Sequence, residues 1–475
     1  MEPYSNQPNM LERLNTWIKE SITIKLLSIG FLVLMLLIPT VWIDGLIDER
    51  QSRAEEVMQE VSDKWSGSQT LSGPVLVVPY KVLEKVDLGN KRGIKIIERT
   101  QKYFFLPETL KITGDVNPQV LHRGIFDAVV YASTLNVNAD FSKPDFKTLN
   151  INESDILWSD AYMVFAITDL RGVSDNPKFT IDNETLSTEP SNTLGISVKK
   201  FLKEYRERYG DASSVNESSE FSSSGIIAKL GWKDANDFKG NTSIKLSLKG
   251  SRKLNFVPTG KTTTVNLKGP WNNPSFDGEF LPETREITDS TFNASWKILH
   301  YNRPFAQQWN TPDEKLTGSE FGVRLLIPVD QYQKSIRTSK YGMLIIILTF
   351  VALFLVEITK RVRIHPFQYI LIGAALIIYY ILLLSFSEQF GYNIAYWIAT
   401  IATVTLISFY SISFLKNSWL VIMLTTLLMV FYTFIFVIIL QQDFSLLLGS
   451  VGLFLIVAAL MFFSRKISWY KEENQ

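Results

Sequence analysis

The chain is 475 residues long, 46% apolar, with a formal net charge of +1 and no cysteine. That charge gives no reason to expect nucleic acid or a strongly acidic partner. Without cysteine there are no disulfides, thiolate metal sites or cysteine nucleophile, and a large exported domain of this kind suits a bacterial envelope better than a eukaryotic surface. The five sequons, at Asn152, Asn183, Asn216, Asn241 and Asn293, matter only in a glycosylating host.

Residues 1–21 read as a cytoplasmic segment. Leu11, Leu14, Trp17 and Ile18 share one helical face, with Glu12, Arg13, Lys19 and Glu20 elsewhere. The spacing fits either a short helix on the inner membrane surface or a plain soluble lead-in. Residues 22–43 form an apolar run too long for a signal-peptide core, with no small-x-small cleavage site after it, so the expectation is a retained first span. Arg13, Lys19 and Lys25 favour a cytoplasmic N-terminus. From 44 to 65, Ile47, Ala54, Val57, Met58, Val61 and Trp65 recur at three- and four-residue spacing up to Ser66-Gly67. This predicts a helical stalk.

Residues 66–340 have the texture of a β-rich periplasmic domain. Ile244, Leu246 and Leu248 alternate with Lys245, Ser247 and Lys249, and Leu135, Val137, Ala139 and Phe141 alternate with polar neighbours, the period of half-buried strands. Residues 198–209 read instead as an amphipathic helix, from Val198, Phe201, Leu202, Tyr205 and Tyr209, and 210–224 as a Ser/Asn-rich loop. An internal echo stands out: Phe105-Leu106-Pro107-Glu108-Thr109 returns as Phe280-Leu281-Pro282-Glu283-Thr284, and each half later holds an apolar run closing on Asp169 or Asp330. Either two related β-subdomains, roughly 66–190 and 225–340, or chance recurrence accounts for it.

From 341 to 464 the chain is almost wholly apolar, and five spanning helices are expected at 341–358, 367–386, 394–415, 419–440 and 444–463. Lys360, Arg361 and Arg363 lie in the first break, Lys416 in the third, and Arg465 and Lys466 after the last; the other breaks carry Glu388 and Asp443. Basic loops stay cytoplasmic. The tail 465–475 is therefore inside, in agreement with the N-terminal charges, and the total is six spans.

Tempting motifs fail on their own terms. Thr259-Gly260-Lys261-Thr262 resembles the end of a P-loop, but Asn255 stands where that motif needs glycine. Ser197–Lys200 has the S-x-x-K spacing of serine acyl-enzymes, yet S-D-N and K-T-G are absent and the stretch reads as a helix cap. His122, His300 and His365 have no metal-ligand spacing, and Glu153/Asp155 give no glycosidase signal. The spans 367–386, 394–415 and 419–440 contain no charge, which argues against an ion relay. No catalytic residue, cofactor or metal site is expected.

Scattered strings point together. They are Ser72-Gly73-Pro74-Val75-Leu76, Tyr103 to Glu108, Trp271 with Pro274-Ser275-Phe276, Gly278 with Phe280-Leu281-Pro282, Arg285-Glu286 and Asp330-Gln331-Tyr332-Gln333. Lys340-Tyr341, His365-Pro366 with Gln368-Tyr369, Leu384-Ser385 with Glu388, Leu446 to Gly449 and Trp469-Tyr470 complete the set. In these the chain resembles the CreD-type inner-membrane proteins, the cell envelope integrity proteins of Gram-negative bacteria. The resemblance implies a role in envelope integrity, linked to colicin tolerance and β-lactam-responsive regulation. It supplies no reaction, so Gly73, Pro74, Pro107, Trp271, Pro282, Gln331, Tyr332, His365, Pro366 and Glu388 carry no assigned role, and fold-making turns explain several of them.

The expectation is thus a membrane α-helical protein of six spans plus a large β-rich periplasmic domain. It acts without catalysis, bound to the lipid bilayer and to an envelope protein, lipid or glycan. A lipid or amphiphile carrier, with an apolar groove in the β-domain, and an unrecognised envelope enzyme are the alternatives.

Overall fold

Apolar runs of twenty residues leave their amides no partner but one another, and they close into helices. The computed structural model describes residues 22–87, 94–206, 215–311, 313–325, 331–360, 362–441 and 444–465. Its helices are α1 (Ile22–Trp65), α2 (Gln331–Lys340), α3 (Gly342–Lys360), α4 (Pro366–Phe390), α5 (Tyr392–Leu415), α6 (Ser418–Leu440) and α7 (Ser445–Ser464). Among the described residues α1 and α3 to α6 are five helices long and apolar enough to cross a membrane, and α7 holds a shorter apolar stretch, Leu447–Ala458. The chain divides into two compact units, Met1–Arg53 with Val329–Gln475, and Ala54–Pro328.

In the helical unit, the breaks follow from capping chemistry. Pro366 is the first residue of α4, where its missing N–H costs nothing. His365 Nδ1 accepts from the Phe367 amide at 3.2 Å, and Gln368 Oε1 accepts from the His365 amide at 2.9 Å. Lys416 takes a left-handed conformation (φ 48°) to end α5, and Asn417 then caps α6 by accepting from the Trp419 amide at 2.9 Å. Lys360 closes α3; Arg363, Lys416 and Arg465 are exposed; Arg361 and Lys466 lie outside the described residues.

The other unit is a sandwich. Among the described residues its strands form sheets of nine, eight and three. The nine-stranded sheet is centred on Gln69–Asp87, flanked by Lys253–Phe256 and Tyr162–Ile167; the eight-stranded sheet is centred on Thr109–Arg123 and Phe126–Asp140. Leu76, Phe165, Phe256 and Phe321 of the first interlock with Tyr131, Leu135, Phe179 and Trp296 of the second in one core. The three-stranded sheet covers the outer face of the nine-stranded one, where Ile196, Val198 and Leu316 pack on Val75, Val77, Val164 and Ala166. Strands covered on both faces read as unbroken apolar runs. That is why Val75 to Val78 and Val164 to Ile167 are fully buried without alternation.

Three expectations need correction. Residues 198–209 are not helical: Ile196–Arg206 is a strand paired antiparallel with Val215–Ser222, which also replaces most of the expected loop; 207–214 lie outside the described residues. Cross-strand pairing and burial of Ile196 and Val198 against the nine-stranded sheet override the helical spacing. Ser197–Lys200 accordingly opens no helix.

Nor are 66–190 and 225–340 separate subdomains. Thr262–Gly269 runs parallel to Thr109–Arg123, Asn241–Ser251 antiparallel to Phe126–Asp140, and Gly225–Lys229 antiparallel to Tyr162–Ile167, so the halves interleave in both sheets. Each echoed string crosses from the nine- to the eight-stranded sheet, but the first enters a central strand and the second the edge strand Thr284–Ile287. Leu106 is 5% exposed and Leu281 68%. The repeat encodes a crossover turn, and strand pairing sets the position in the sheet.

Finally, the β-rich region does not run to 340. Residues 331–340 are α2, which buries Tyr332, Ser335, Thr338 and Ser339 in the helical unit, with Thr338 Oγ1 and the Tyr392 hydroxyl 2.6 Å apart.

Gly73, in mid-strand beside a bulge and followed by a cis proline, has φ 113°, and a Cβ there would lie 2.9 Å from the Val164 carbonyl oxygen. Gly124, in the turn of the hairpin that follows, has φ 64° but open space around it. Gly73→Ala is expected to cost the full-length protein about 1–3 kcal/mol in denaturant unfolding, and Gly124→Asn less than about 0.5 kcal/mol, because asparagine tolerates the left-handed region.

Candidate functional site

Charges among apolar helices are costly unless paired, which makes them the natural place to look for function. Two such groups occur in the helical unit. Lys25 Nζ of α1 lies 2.8 Å from Glu357 Oε1 of α3, and the Glu357 side chain is only 5% exposed. Tyr369 of α4 donates its hydroxyl to Glu357 Oε2 at 3.1 Å, and the Ile364 amide donates to Oε1 at 3.4 Å. The second group repeats the chemistry. Glu388, near the C-terminal end of α4, accepts from the Tyr332 hydroxyl of α2 at 3.2 Å, and Arg50 Nε of α1 is 4.0 Å from the same carboxylate. Burial, then the Glu388 charge, pushes the Tyr332 hydroxyl above its ordinary range, so it stays a donor at neutral pH.

The twenty-five helical steps from Lys25 to Arg50 span about 37 Å, more than the roughly 30 Å hydrocarbon core. The first helix thus carries one cation near each end of that span, each on a glutamate that a tyrosine also holds. Between them the rings of Tyr379, Tyr396 and Tyr432 from α4, α5 and α6 pack at centroid distances of 4.8 to 6.5 Å. The Tyr396 hydroxyl donates to the Tyr432 carbonyl at 2.7 Å.

The β-rich unit has its own polar cluster, at the last turn of α1. Asp169 receives both Arg171 Nε (2.9 Å) and Nη2 (2.7 Å), and the Gly67 amide at 3.1 Å. Arg171 Nη1 also donates to the Asp63 carbonyl at 2.6 Å. Gln69 Nε2 donates to Ser66 Oγ and the Asp169 carbonyl, both at 2.9 Å, while its Oε1 accepts from the Asp169 amide at 3.2 Å. Ser62 hydrogen-bonds Ser251. Of these bonds, the one from Arg171 to the Asp63 carbonyl satisfies an orphan carbonyl at the helix end. Burial alone would raise the Asp169 carboxyl, but the Arg171 contacts and two backbone amides outweigh it and hold it at about 2. That direction suits a structural anion and not a general acid or base.

Of the sequence-chosen residues that are described, the structure brings Tyr332 and Glu388 together by a hydrogen bond; Gln331 begins α2 next to Tyr332. His365 and Pro366 start α4. Gly73 and Pro74 form the bulge in a central strand. The Pro107 carbonyl accepts from the Lys261 amide and Gln307 Nε2, both at 2.9 Å. Trp271 donates its indole to the Asn273 carbonyl at 3.1 Å, and half-buried Pro282 precedes the edge strand. Among the described residues no group of three or more His, Asp or Glu could hold a metal. The pairings of Lys25 and Arg50 escaped the sequence reading because their partners lie 332 and 338 residues away; Arg171, two residues from Asp169, escaped it because no local pattern distinguishes an ion-paired arginine from a solvated one.

An apolar helical unit and a large β-sandwich unit in one chain define an integral membrane protein with a sizeable globular β-domain. The family model described as inner membrane protein CreD matches residues 21–470. Inner membrane protein CreD of Escherichia coli (strain K12) is 31% identical over 453 residues, covering 94% of this chain and 93% of that protein. The chain belongs to the CreD family.

Lys25→Met strands a buried carboxylate and is expected to cost about 3 kcal/mol, whereas Glu357→Gln, which frees a lysine already 35% exposed, costs less. The double variant should lose less than the sum in unfolding from detergent micelles. Asp169, with a folded value of about 2 against an unfolded one of about 3.9, stabilises fully above about pH 4, and that contribution is lost as pH falls toward 2. Asp169→Asn should cost about 2 kcal/mol at neutral pH and flatten the acid limb of a stability–pH profile in that window.

Proposed function

We propose that this protein is a six-span protein of the bacterial inner membrane, α7 being the sixth span, with both termini cytoplasmic and the β-rich unit periplasmic. It maintains envelope integrity without catalysis by binding an envelope protein, lipid or glycan through that unit, and the family resemblance extends the role to colicin tolerance and the β-lactam response. The charge bias of the breaks supports the orientation: Lys360, Arg363 and Lys416 against Glu388.

One observation carries the binding role. The strands Gln69–Asp87 and Ile94–Phe105 run out beyond the sandwich as a two-stranded arm, in which residues 81–87 pair only with 94–100 among the described residues. Leu83 (69% exposed) and Ile96 (59%) lie diagonally on one face of it beside the pair Lys81–Glu98, and the pair Arg99–Glu84 lies on the other face, both pairs at 2.8 Å. A free two-stranded ribbon is marginal in water, and an apolar face on it suits a partner.

The alternatives find less support. Phe165, Phe256 and Trp296 fill the space between the large sheets, where a carrier groove would run. The perturbed carboxylate an enzyme would need, Asp169, is committed to holding a helix end.

The test is extraction in native membrane followed by mass spectrometry of what co-purifies. A periplasmic or outer-membrane protein recovered stoichiometrically, and lost with Leu83→Asp/Ile96→Asp, is the expected result; recovery no greater than with an unrelated inner-membrane protein sinks the binding role. Since the chain has no cysteine, Lys416→Cys and Ser290→Cys report orientation directly, the second alone reacting with an impermeant maleimide from the periplasmic side.

A further inference from the structure

The helical unit contains a groove that the envelope role does not use. Its volume is about 680 Å³, and its walls are α3, α6 and Ile456 of α7. The lining is apolar along most of its length, through Leu348, Ala352, Met423 and Phe431 with Thr426 among them, and turns polar at one end, where Thr359, Lys360 and Trp419 meet it. Along α3 the lining runs from Leu348 to Lys360 and along α6 from Trp419 to Phe431. Twelve residues of helix are about 18 Å, close to half of a roughly 30 Å hydrocarbon core. The groove is therefore one leaflet deep, and its polar end is the end of the basic loops.

We propose that this groove holds one anionic phospholipid of the cytoplasmic leaflet, an acyl chain along α3 and α6 and the headgroup phosphate on Lys360. The proposal rests on the orientation argued above. Acyl burial gains nothing over the surrounding bilayer, since lipid tails are as apolar as leucine. Selectivity must come from the polar end. Lys360 is exposed, forms no ion pair among the described residues, and ends a helix whose stem lies along the groove, so its ammonium reaches headgroup depth as an unspent cation. Trp419, 70% exposed at the first turn of α6, is the side chain that membrane proteins place at that depth. A zwitterionic headgroup offers no net charge to that ammonium.

The experiment uses the full-length protein, reconstituted in bilayers of equal parts phosphatidylglycerol and phosphatidylethanolamine, re-extracted in mild detergent and weighed by native mass spectrometry. One retained phosphatidylglycerol is expected, kept by Lys416→Gln, whose lysine lies outside the groove. Lys360→Gln should reduce it about fivefold, as for one lysine near an anionic surface. Ala352→Trp, which fills the groove, should abolish it with the thermal unfolding midpoint unchanged. Retention of phosphatidylethanolamine to the same extent, no retained lipid, or full retention by Lys360→Gln overturns the proposal. The measurement is made in detergent and is blind to orientation, so its failure is distinct from a failure of the cysteine labelling.

Discussion

A carboxylate among apolar helices must be neutralised, and in this protein the first helix supplies the cation at both ends. Lys25 meets Glu357 and Arg50 approaches Glu388, with Tyr369 and Tyr332 donating to the same carboxylates. The desolvation cost of a buried ion pair makes it a poor source of net stability but a strong source of specificity, because a slipped register strands both charges. α1 is separated from α3 in sequence by nearly 280 residues, and these pairs fix its rotation and depth against α3 and α4. Aromatic and small-residue packing then completes the bundle, as at Gly342 and Gly373, where the Tyr380 ring and Leu36 leave no room for a Cβ.

The β-rich unit obeys a different constraint. Three layers bury the central strands of the nine-stranded sheet on both faces, which removes alternation from their sequence, while the eight-stranded sheet keeps one face toward water and its alternation. Some of the polar groups that the layers enclose are held by hydrogen bonds to loop carbonyls. Arg303, deeply buried, donates to the Phe305 carbonyl at 2.7 Å and the Ala306 carbonyl at 3.1 Å, and burial lowers it to about 10. Gln307 then ties that loop to the first crossover turn through the carbonyls of Leu106 and Pro107.

These constraints sort the family-motif residues. Gly73, Pro107, Trp271, His365 and Pro366 serve turns, bulges and caps. Tyr332 and Glu388 form a tertiary contact between α2 and α4.

The amino-acid sequence by itself determined the apolar helices, the caps at Pro366 and Asn417 and the alternating strands such as Asn241–Ser251, because these follow from local hydrophobicity, backbone chemistry and periodicity. It misdirected where a local pattern met a distant partner. The helical spacing after Val198 yielded to pairing with Val215–Ser222, and a repeated five-residue string proved to be one kind of turn used in two settings. Only the tertiary structure decided the interleaving of the halves, the third layer, the pairing of Lys25 with Glu357 and of Arg50 with Glu388, and the groove between α3 and α6. Each of these depends on contacts between residues far apart in the chain, and charge, burial and pairing between distant segments leave no period in the sequence that joins them.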